Sequence, residues 1–256
     1  SRLERKEFWN RVAPEYQATW QAADGEPYRQ ALQAFLQKKG VMQPGSRVAD
    51  IGCGVGKYAK MFVQAGCRVT LLDEAEEMLR YARQNMARLR GEWETLCCNF
   101  AGIRGTEADW YKQFDTVFAS MCPAIDSPEA VAALCRMGRR HGMITRFARM
   151  ENQLEQTVCQ QLGLPCQIPD KEYDFLVKAV RQQGYLPDVT FQDHSWKNQL
   201  TPEQAAEKII RGQGENMTPA LQEAVRALTR EISGKDGRVT ETVQAEAVWI
   251  YWRMAE

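Results

Sequence analysis

The sequence has 256 residues, of which 44% are hydrophobic and 26% are charged, a balance typical of a globular chain. Its 33 basic and 33 acidic residues cancel, so no overall field exists to attract nucleic acid or an anionic membrane. No apolar run reaches the ~18 residues that span a bilayer, and the N-terminal segment lacks the apolar core of a signal peptide. We therefore expect a cytoplasmic protein with no membrane partner.

Cysteine and histidine usage argues against a metal site. The sequence has eight cysteines but no pair in CxxC spacing, and its two histidines are His141 and His194. Zinc sites need clustered thiolate and imidazole ligands. We expect no bound metal and predict that most thiols are buried as small hydrophobic side chains.

The N-terminal half alternates between helices and short apolar runs. Two helices are expected first, over 3–20 and 27–40, the second ending at Gly40, a typical C-cap residue. Strands are then expected at 47–51, 67–73, 93–100, 114–121 and 142–148, with helices at 57–66, 75–91 and 128–139. Strands joined by helices predict right-handed βαβ crossovers and a parallel, doubly wound α/β sheet.

After Ala148 this alternation stops. Helices are expected near 151–163 and 171–184, a strand at 188–194, helices starting after Thr201 and Thr218, and a final strand at 243–254. Thr201 and Thr218 each precede a proline, as N-cap residues often do. Trp249, Tyr251 and Trp252 would belong to the final strand. The fold class is therefore α/β, with a seven-stranded sheet of six parallel strands and one antiparallel strand, plus a helical cap or insert.

The segment "DIGCGVGK", 50–57, is a glycine-rich turn directly after the first strand. A triphosphate loop needs GxxxxGK followed by Ser or Thr, but Ile51 and Tyr58 occupy two of those positions. A dinucleotide loop needs a third glycine where Lys57 stands, and Asp50 would repel a pyrophosphate. Neither phosphate ligand suits this turn.

S-adenosylmethionine (SAM) suits it better, because SAM has no phosphate and carries an ammonium and a sulfonium. A carboxylate such as Asp50 is then favourable, and glycines allow close approach of the ligand to the backbone. Asp73 ends the next strand, seventeen residues after Gly56, where a carboxylate could accept hydrogen bonds from two ribose hydroxyls.

On these residues the chain resembles the class I SAM-dependent methyltransferases, in particular the small-molecule group with the methyltransferase-domain pattern. The resemblance is carried by "DIGCGVGKYAKMFVQAGCRVTLLDEAEEMLRYAR" and by "WNRVAPEY", which is similar to a family segment lying over the cofactor. It covers Trp9 to about Ala148. It implies a Rossmann-like fold, SAM as cofactor, S-adenosylhomocysteine (SAH) as product, and three segments: a helical lid over 1–40, a SAM-binding core over 41–148, and an insert with closing strands over 149–256.

The resemblance also implies a set of cofactor-binding residues. Asp50, Gly52 and Gly54 would surround the methionine moiety, with Cys53 between them, and Asp73 would bind the ribose. The further implied contacts are Glu74 and Met78 near the ribose or adenine, Asn99 and Phe100 near the adenine, and Met121 near the methyl group. Asn99 departs from the Asp that the family often has there, and a loop-capping role is the alternative.

Substrate and catalytic residues are less defined. Cys122 is a candidate nucleophile or pocket thiol, His194 a candidate base or an ordinary loop histidine, and His141 is expected to be structural. Arg146 could bind an acidic substrate or form a salt bridge. The other candidate substrate contacts are Tyr16 and Trp20, as an aromatic lid, and Trp196.

The sequence therefore predicts a methyltransferase that transfers a methyl group from SAM to a small molecule. "SMCPAI", 120–125, lacks the Asn/Asp-Pro-Pro-aromatic pattern of family members that methylate amide or ring nitrogens. A methyltransferase acting on RNA or protein, and a SAM-binding protein without transferase activity, remain open. The sequence does not define the accepting atom or the oligomeric state.

Overall fold

A computed structural model describes residues 2–21, 26–100, 110–166, 173–214 and 217–254, without the side chains of 2–4, 19–21 and 26. The strands are β1 Arg47–Ile51, β2 Arg68–Asp73, β3 Trp93–Cys97, β4 Phe114–Ser120, β5 Gly138–Asn152, β6 Asp188–Asp193, β7 Trp196–Leu200 and β8 Val239–Arg253. The helices are α1 Arg2–Gln21, α2 Glu26–Lys38, α3 Ala59–Gln64, α4 Glu76–Met86, α5 Pro128–Met137, α6 Gln153–Leu162, α7 Tyr173–Gln182, α8 Pro202–Gln213 and α9 Pro219–Glu231.

The strands form one sheet in the order β3-β2-β1-β4-β5-β8-β6, with β7 paired to β8. The pairings β1–β2, β1–β4, β2–β3 and β4–β5 are parallel. The predicted doubly wound, mostly parallel α/β sheet is confirmed. Because parallel strands in this order end at one edge, the loops after β1, β2, β3 and β4 meet there.

The predicted strand number of seven is wrong, since the described part of the sheet has eight strands. The strand that was missed is β7, which pairs antiparallel with β8 in a register that places Trp196 opposite Val243. Its sequence "WKNQL" has three consecutive polar residues and no β-branched residue. It therefore lacks the composition by which strands are identified.

The boundary between α5 and β5 also differs from the prediction. The helix ends at Met137 and the strand begins at Gly138, so Arg139 and Arg140 lie on β5 and not at a helix end. Arg139 Nε donates to Asp115 Oδ1 at 2.8 Å, an ion pair on the neighbouring strand β4. His141 is buried on β5, with Nδ1 2.8 Å from the Tyr251 hydroxyl, as its predicted structural role requires.

Contacts between Cα atoms divide the chain into two compact units. One comprises the described residues within 1–146, 172–192 and 248–256, and the other those within 147–171 and 193–247. In the first unit Trp249 and Trp252 are fully buried on β8, as predicted. A Cβ at Gly142 would lie 2.1 Å from the Trp252 ring, so this position accepts no larger residue. The three-segment division at residues 40 and 148 stays a prediction.

The second unit has a core of its own, formed by apolar side chains of α6, α8 and α9 with Val239. The predicted N-caps are confirmed: Thr201 accepts a hydrogen bond from Gln204 N at 3.2 Å, and Thr218 from Leu221 N at 3.3 Å. Among the described helices of the chain, none is both long and apolar enough to cross a membrane.

Candidate cofactor and acceptor site

The glycine turn follows β1 and is built on positive backbone angles. Gly52, Gly54 and Gly56 have φ values of +68°, +54° and +83°, a region that residues with a Cβ rarely adopt. A Cβ on Gly52 would lie 2.4 Å from Cys122 Sγ. The turn is fixed to β2, because Gly52 N donates to Leu72 O at 2.8 Å.

Gly54 is the open position of the turn. A Cβ there would meet only Met78 Sδ, at 4.0 Å, so the backbone at Gly54 borders empty space. Gly54 N donates to Asp73 Oδ2 at 2.9 Å, and Asp73 Oδ1 accepts from Ala75 N at 2.9 Å. The Asp73 carboxylate at the end of β2 thus holds the turn, and burial raises its pKa.

Asp50 lies at the end of β1 with 2% of its surface exposed. Its Oδ2 atom has no hydrogen-bond partner among the described residues. Burial and the negative charge of Asp73 raise the pKa of Asp50 to about 7. Buried carboxylates are normally hydrogen-bonded, so this carboxyl group has an acceptor atom that a bound donor or a water could satisfy.

The turn opens onto a cavity of about 230 Å³. It is lined by Trp9, Tyr16, Ile51, Gly52, Cys53, Gly54, Val55, Lys57, Tyr58, Leu72, Asp73, Glu74, Met78, Cys98, Asn99, Phe100, Ser120, Met121, Cys122, Pro123 and Ala124. Nearly all the sequence-predicted cofactor residues are therefore brought together. Asp50 is the exception, since it lies directly before the lining residue Ile51 and does not itself line the cavity.

Helix α1 contributes one wall. Its Trp9 and Tyr16 line the cavity with their rings in edge contact, 5.5 Å between centroids. Polar contacts attach the helix: Arg5 Nε donates to Glu74 Oε1 at 2.9 Å, Asn10 Oδ1 accepts from Glu77 N at 3.0 Å, and the amides of Gln17 and Asn85 exchange two hydrogen bonds. Trp20 is on this helix, but its side chain is outside the described part.

The loop after β4 forms the opposite wall. Met121 has φ +49°, unusual for a side chain of its size and a form of local strain found at functional sites. Burial raises the pKa of the neighbouring Cys122 to about 11, so its thiol is protonated and weakly nucleophilic at neutral pH. Arg146 donates to the carbonyl oxygens of Cys122 and Ile125. Its guanidinium holds this loop, and Arg146 is not among the residues that line the cavity.

His194 and Trp196 belong to the second unit. The His194 ring stacks on Phe147 with 5.4 Å between centroids and lies 5.7 Å from the Trp196 ring. His194 N donates to Ala245 O at 2.9 Å. A base at His194 and a substrate contact at Trp196 stay predictions. Across the described residues, no group of three or more His, Cys, Asp or Glu side chains is arranged to hold a metal ion.

Several lining residues were not predicted from the sequence. Trp9 could have been found, because it begins the quoted "WNRVAPEY" segment. Tyr58 and Ser120 carry no local signal, since one lies between the glycine turn and the short helix α3 and the other ends an apolar strand. They become candidates only when β1 and β4 are seen to be neighbours.

Comparison with known proteins agrees with this geometry. Residues 48–142 match the family described as "Methyltransferase domain". These residues are therefore similar to a methyltransferase domain. The resemblance to class I SAM-dependent methyltransferases is thereby confirmed for the part of the chain that carries β1 to β4 and most of the cavity lining.

Curated relatives also match part of the chain. A malonyl-[acyl-carrier protein] O-methyltransferase of Serratia marcescens is 34% identical over 105 residues, 41% of this chain and 39% of the relative. The match thus spans well under half the length of this relative.

Solved structures share the fold at low identity. A phospholethanolamine N-methyltransferase 2 of Haemonchus contortus, in complex with phosphomonomethylethanolamine and SAH, is 16% identical with a TM-score of 0.57, over 99% of this chain and 59% of that one. The magnesium protoporphyrin IX methyltransferase of Synechocystis PCC 6803 with bound SAH is 16% identical with a TM-score of 0.53, over 97% of this chain and 99% of that one. These likenesses support the Rossmann-like fold.

Proposed function

We propose that the chain is a SAM-dependent methyltransferase whose acceptor is a small molecule. The observation that carries this proposal is one cavity in which the open backbone of Gly54 lies beside the Asp73 carboxylate. An open glycine admits a ligand to van der Waals contact, and a carboxylate favours ribose hydroxyls and cations over phosphate.

The remaining residues fit SAM from one end to the other. Asp73 would accept the ribose hydroxyls, with Glu74 and Met78 beside it. Asn99 and Phe100 would contact the adenine. The methionine end would lie along Gly52, Cys53 and Gly54. There its ammonium would be attracted, directly or through water, by the oxygen of buried Asp50 that has no partner among the described residues. A pyrophosphate in the same space would be repelled by three acidic side chains.

Bound SAM supplies an electrophilic methyl group on a sulfonium, and the chain's own residues have to align the acceptor with it. Met121 to Ala124, held by Arg146, would form the surface on which the acceptor is positioned. Trp9 and Tyr16 of α1 would cover the cavity and exclude water. Fixing two reactants in line is a large part of what such a transfer requires.

Three considerations favour a small acceptor. The cavity is lined mostly by apolar side chains, as ligand pockets for small molecules are. The chain has no net positive charge to attract RNA. Two structural neighbours are named for phosphoethanolamine and porphyrin substrates, and the malonyl group named for one relative is itself small although a carrier protein holds it.

The test is methyl transfer from SAM labelled in the methyl group to an extract separated into small molecules, RNA and protein. We expect label in the small-molecule fraction and stoichiometric SAH release. Asp73→Ala serves as the negative control. Label in RNA or protein alone would contradict the small-molecule acceptor, and tight SAM binding without any transfer would identify a binding protein that lacks transferase activity.

A further inference from the structure

Met121, the residue directly after β4, has a backbone conformation that is common only for glycine. Among the described residues, positive φ angles occur at eleven glycines and at two other residues, Lys112 and Met121, both with φ +49°. A residue with a Cβ is strained in this region, and a glycine would remove the strain. A methionine at position 121 therefore needs a physical reason.

Hydrogen bonds hold Met121 and the loop that follows it in this conformation. Met121 N donates to Thr145 O at 3.1 Å, and Arg146 Nη1 donates to the same carbonyl oxygen at 3.1 Å. Arg146 Nη2 donates to Cys122 O and, at 3.0 Å, to Ile125 O. The strained backbone persists because these contacts fix it from the neighbouring strand β5.

The surface that this loop presents to the cavity is uncharged. Its lining residues are 121–124, and burial raises the pKa of the Cys122 thiol to about 11, so the thiol is protonated near neutral pH. The charged residues of the described lining are Lys57, Asp73 and Glu74. They lie in the glycine turn and at the end of β2, so a molecule on the loop meets apolar side chains instead of ions.

Resting on the proposed methyltransferase function, we propose that the acceptor is an uncharged molecule whose apolar part lies on residues 121–124, and that Met121 determines which acceptors bind. Apolar contact favours such a molecule, because an ionised group buried there would lose its hydration. A methionine side chain is apolar and adapts its shape to a ligand. Arg146 is a positioning residue that acts through Met121.

The experiment uses the full chain, SAM tritiated in the methyl group, and the small-molecule fraction of a cell extract. SAM is charged and stays in water, whereas an uncharged apolar product passes into ethyl acetate at neutral pH. We expect the wild type to form extractable label above a sample without the chain. Label found only in products that stay in water overturns the apolar acceptor and leaves the proposed function intact. Bound SAM with no label transferred overturns the proposed function itself.

Met121→Gly relieves the backbone strain and removes the apolar side chain. At a limiting amount of the fraction it should form extractable label about 10-fold more slowly, because one apolar contact with the acceptor is lost. The difference should narrow as the fraction is concentrated, as expected for a raised acceptor KM. The variant should also label bulkier molecules that the wild type does not label. Its SAH affinity should be unchanged by calorimetry, and its melting temperature should be equal or higher.

Two further variants separate the side chain from the strain. Met121→Leu keeps an apolar side chain and should recover most of the rate that glycine loses. Lys112→Gly is the matched control, because Lys112 has the same φ but is exposed before β4 and is not among the residues that line the cavity. It should resemble the wild type in rate, products and SAH affinity.

Arg146→Lys keeps the charge but loses the planar fork that bonds several carbonyl oxygens. It should raise the acceptor KM as Met121→Gly does, with unchanged SAH affinity. A Met121→Gly variant that matches Lys112→Gly in rate and products overturns the specificity role. Weaker SAH binding by Met121→Gly overturns it in favour of a cofactor contact, and a lower melting temperature overturns it in favour of core packing. An Arg146→Lys variant identical to Lys112→Gly overturns the positioning role of Arg146.

Discussion

Two buried carboxyl groups, one in each compact unit, are satisfied in opposite ways. Glu241 of the second unit is fully buried, and it accepts from Asn152 and Asn198 at 2.7 Å and from the Lys208 ammonium at 2.9 Å. Asp50 of the first unit is buried with one oxygen lacking a partner among the described residues.

Their proton affinities diverge accordingly. Burial alone would raise the pKa of Glu241, but Lys208 and the two amides hold it below its ordinary value. Burial and Asp73 raise the pKa of Asp50 to about 7. A satisfied buried carboxylate stabilises the fold, whereas an unsatisfied one costs stability and is suited to binding a cation.

The largest effect should come from removing the satisfied group. Glu241→Leu leaves Lys208 and two amides without their acceptor and should lower the free energy of unfolding by about 2 to 4 kcal/mol. Urea denaturation measures this change. Glu246→Leu, at an exposed position of the same strand, should change it by less than about 0.5 kcal/mol. Equal changes in the free energy of unfolding for the two variants would contradict the stabilising role of Glu241.

Removing the carboxylate that holds the glycine turn should affect binding instead. Asp73→Ala should weaken SAM and SAH affinity by at least about 30-fold, because the two ribose hydroxyls lose the charged group that accepts their hydrogen bonds. Calorimetric titration measures it, with Glu92→Ala, an exposed carboxylate, as control. Unchanged affinity in Asp73→Ala would exclude Asp73 from the cofactor site.

Asp50→Asn should stabilise the ligand-free protein while weakening SAM binding. The pKa of Asp50 is higher in the folded state than in the unfolded state, so its ionisation destabilises the fold. This destabilisation is absent below about pH 4 and reaches its full size above about pH 7. The variant should therefore gain about 1 to 2 kcal/mol at pH 8 and nothing below about pH 4. Glu241→Gln should show the reverse, a loss at neutral pH that shrinks as the pH falls below about 4. Matching pH profiles for the two variants would contradict the comparison.

The smallest effect is the pH dependence of cofactor binding by the wild type. A cation favours ionised Asp50, so binding near pH 7 should release a proton, and SAM affinity should fall by up to about tenfold per unit below pH 7. Titration in buffers of different ionisation enthalpy detects the released proton. The difference between wild type and Asp50→Asn isolates Asp50 from the titration of SAM itself, and identical proton release in both would exclude it.

The sheet and the part of the candidate site around the glycine turn could be predicted because their signals are local. The three positive φ values of the turn require three glycines, and all three lie within five residues of sequence. Asp73 could be found because it is the last residue of the next short strand. The strand β7 could not be predicted, because "WKNQL" becomes a strand only through its pairing with β8. The hydrogen bond from Trp249 to Tyr28 could not be predicted either, since these residues are 221 positions apart in sequence and only the fold brings them together.

The most direct test of the central claim is calorimetric titration of the wild-type chain with SAM, SAH and NAD⁺ under identical conditions. The arrangement of Asp50, the open Gly54 backbone and Asp73 predicts one site that binds SAM and SAH and gives no heat with NAD⁺. Binding of NAD⁺, or no binding of SAM, would contradict a site made for a phosphate-free cationic nucleoside.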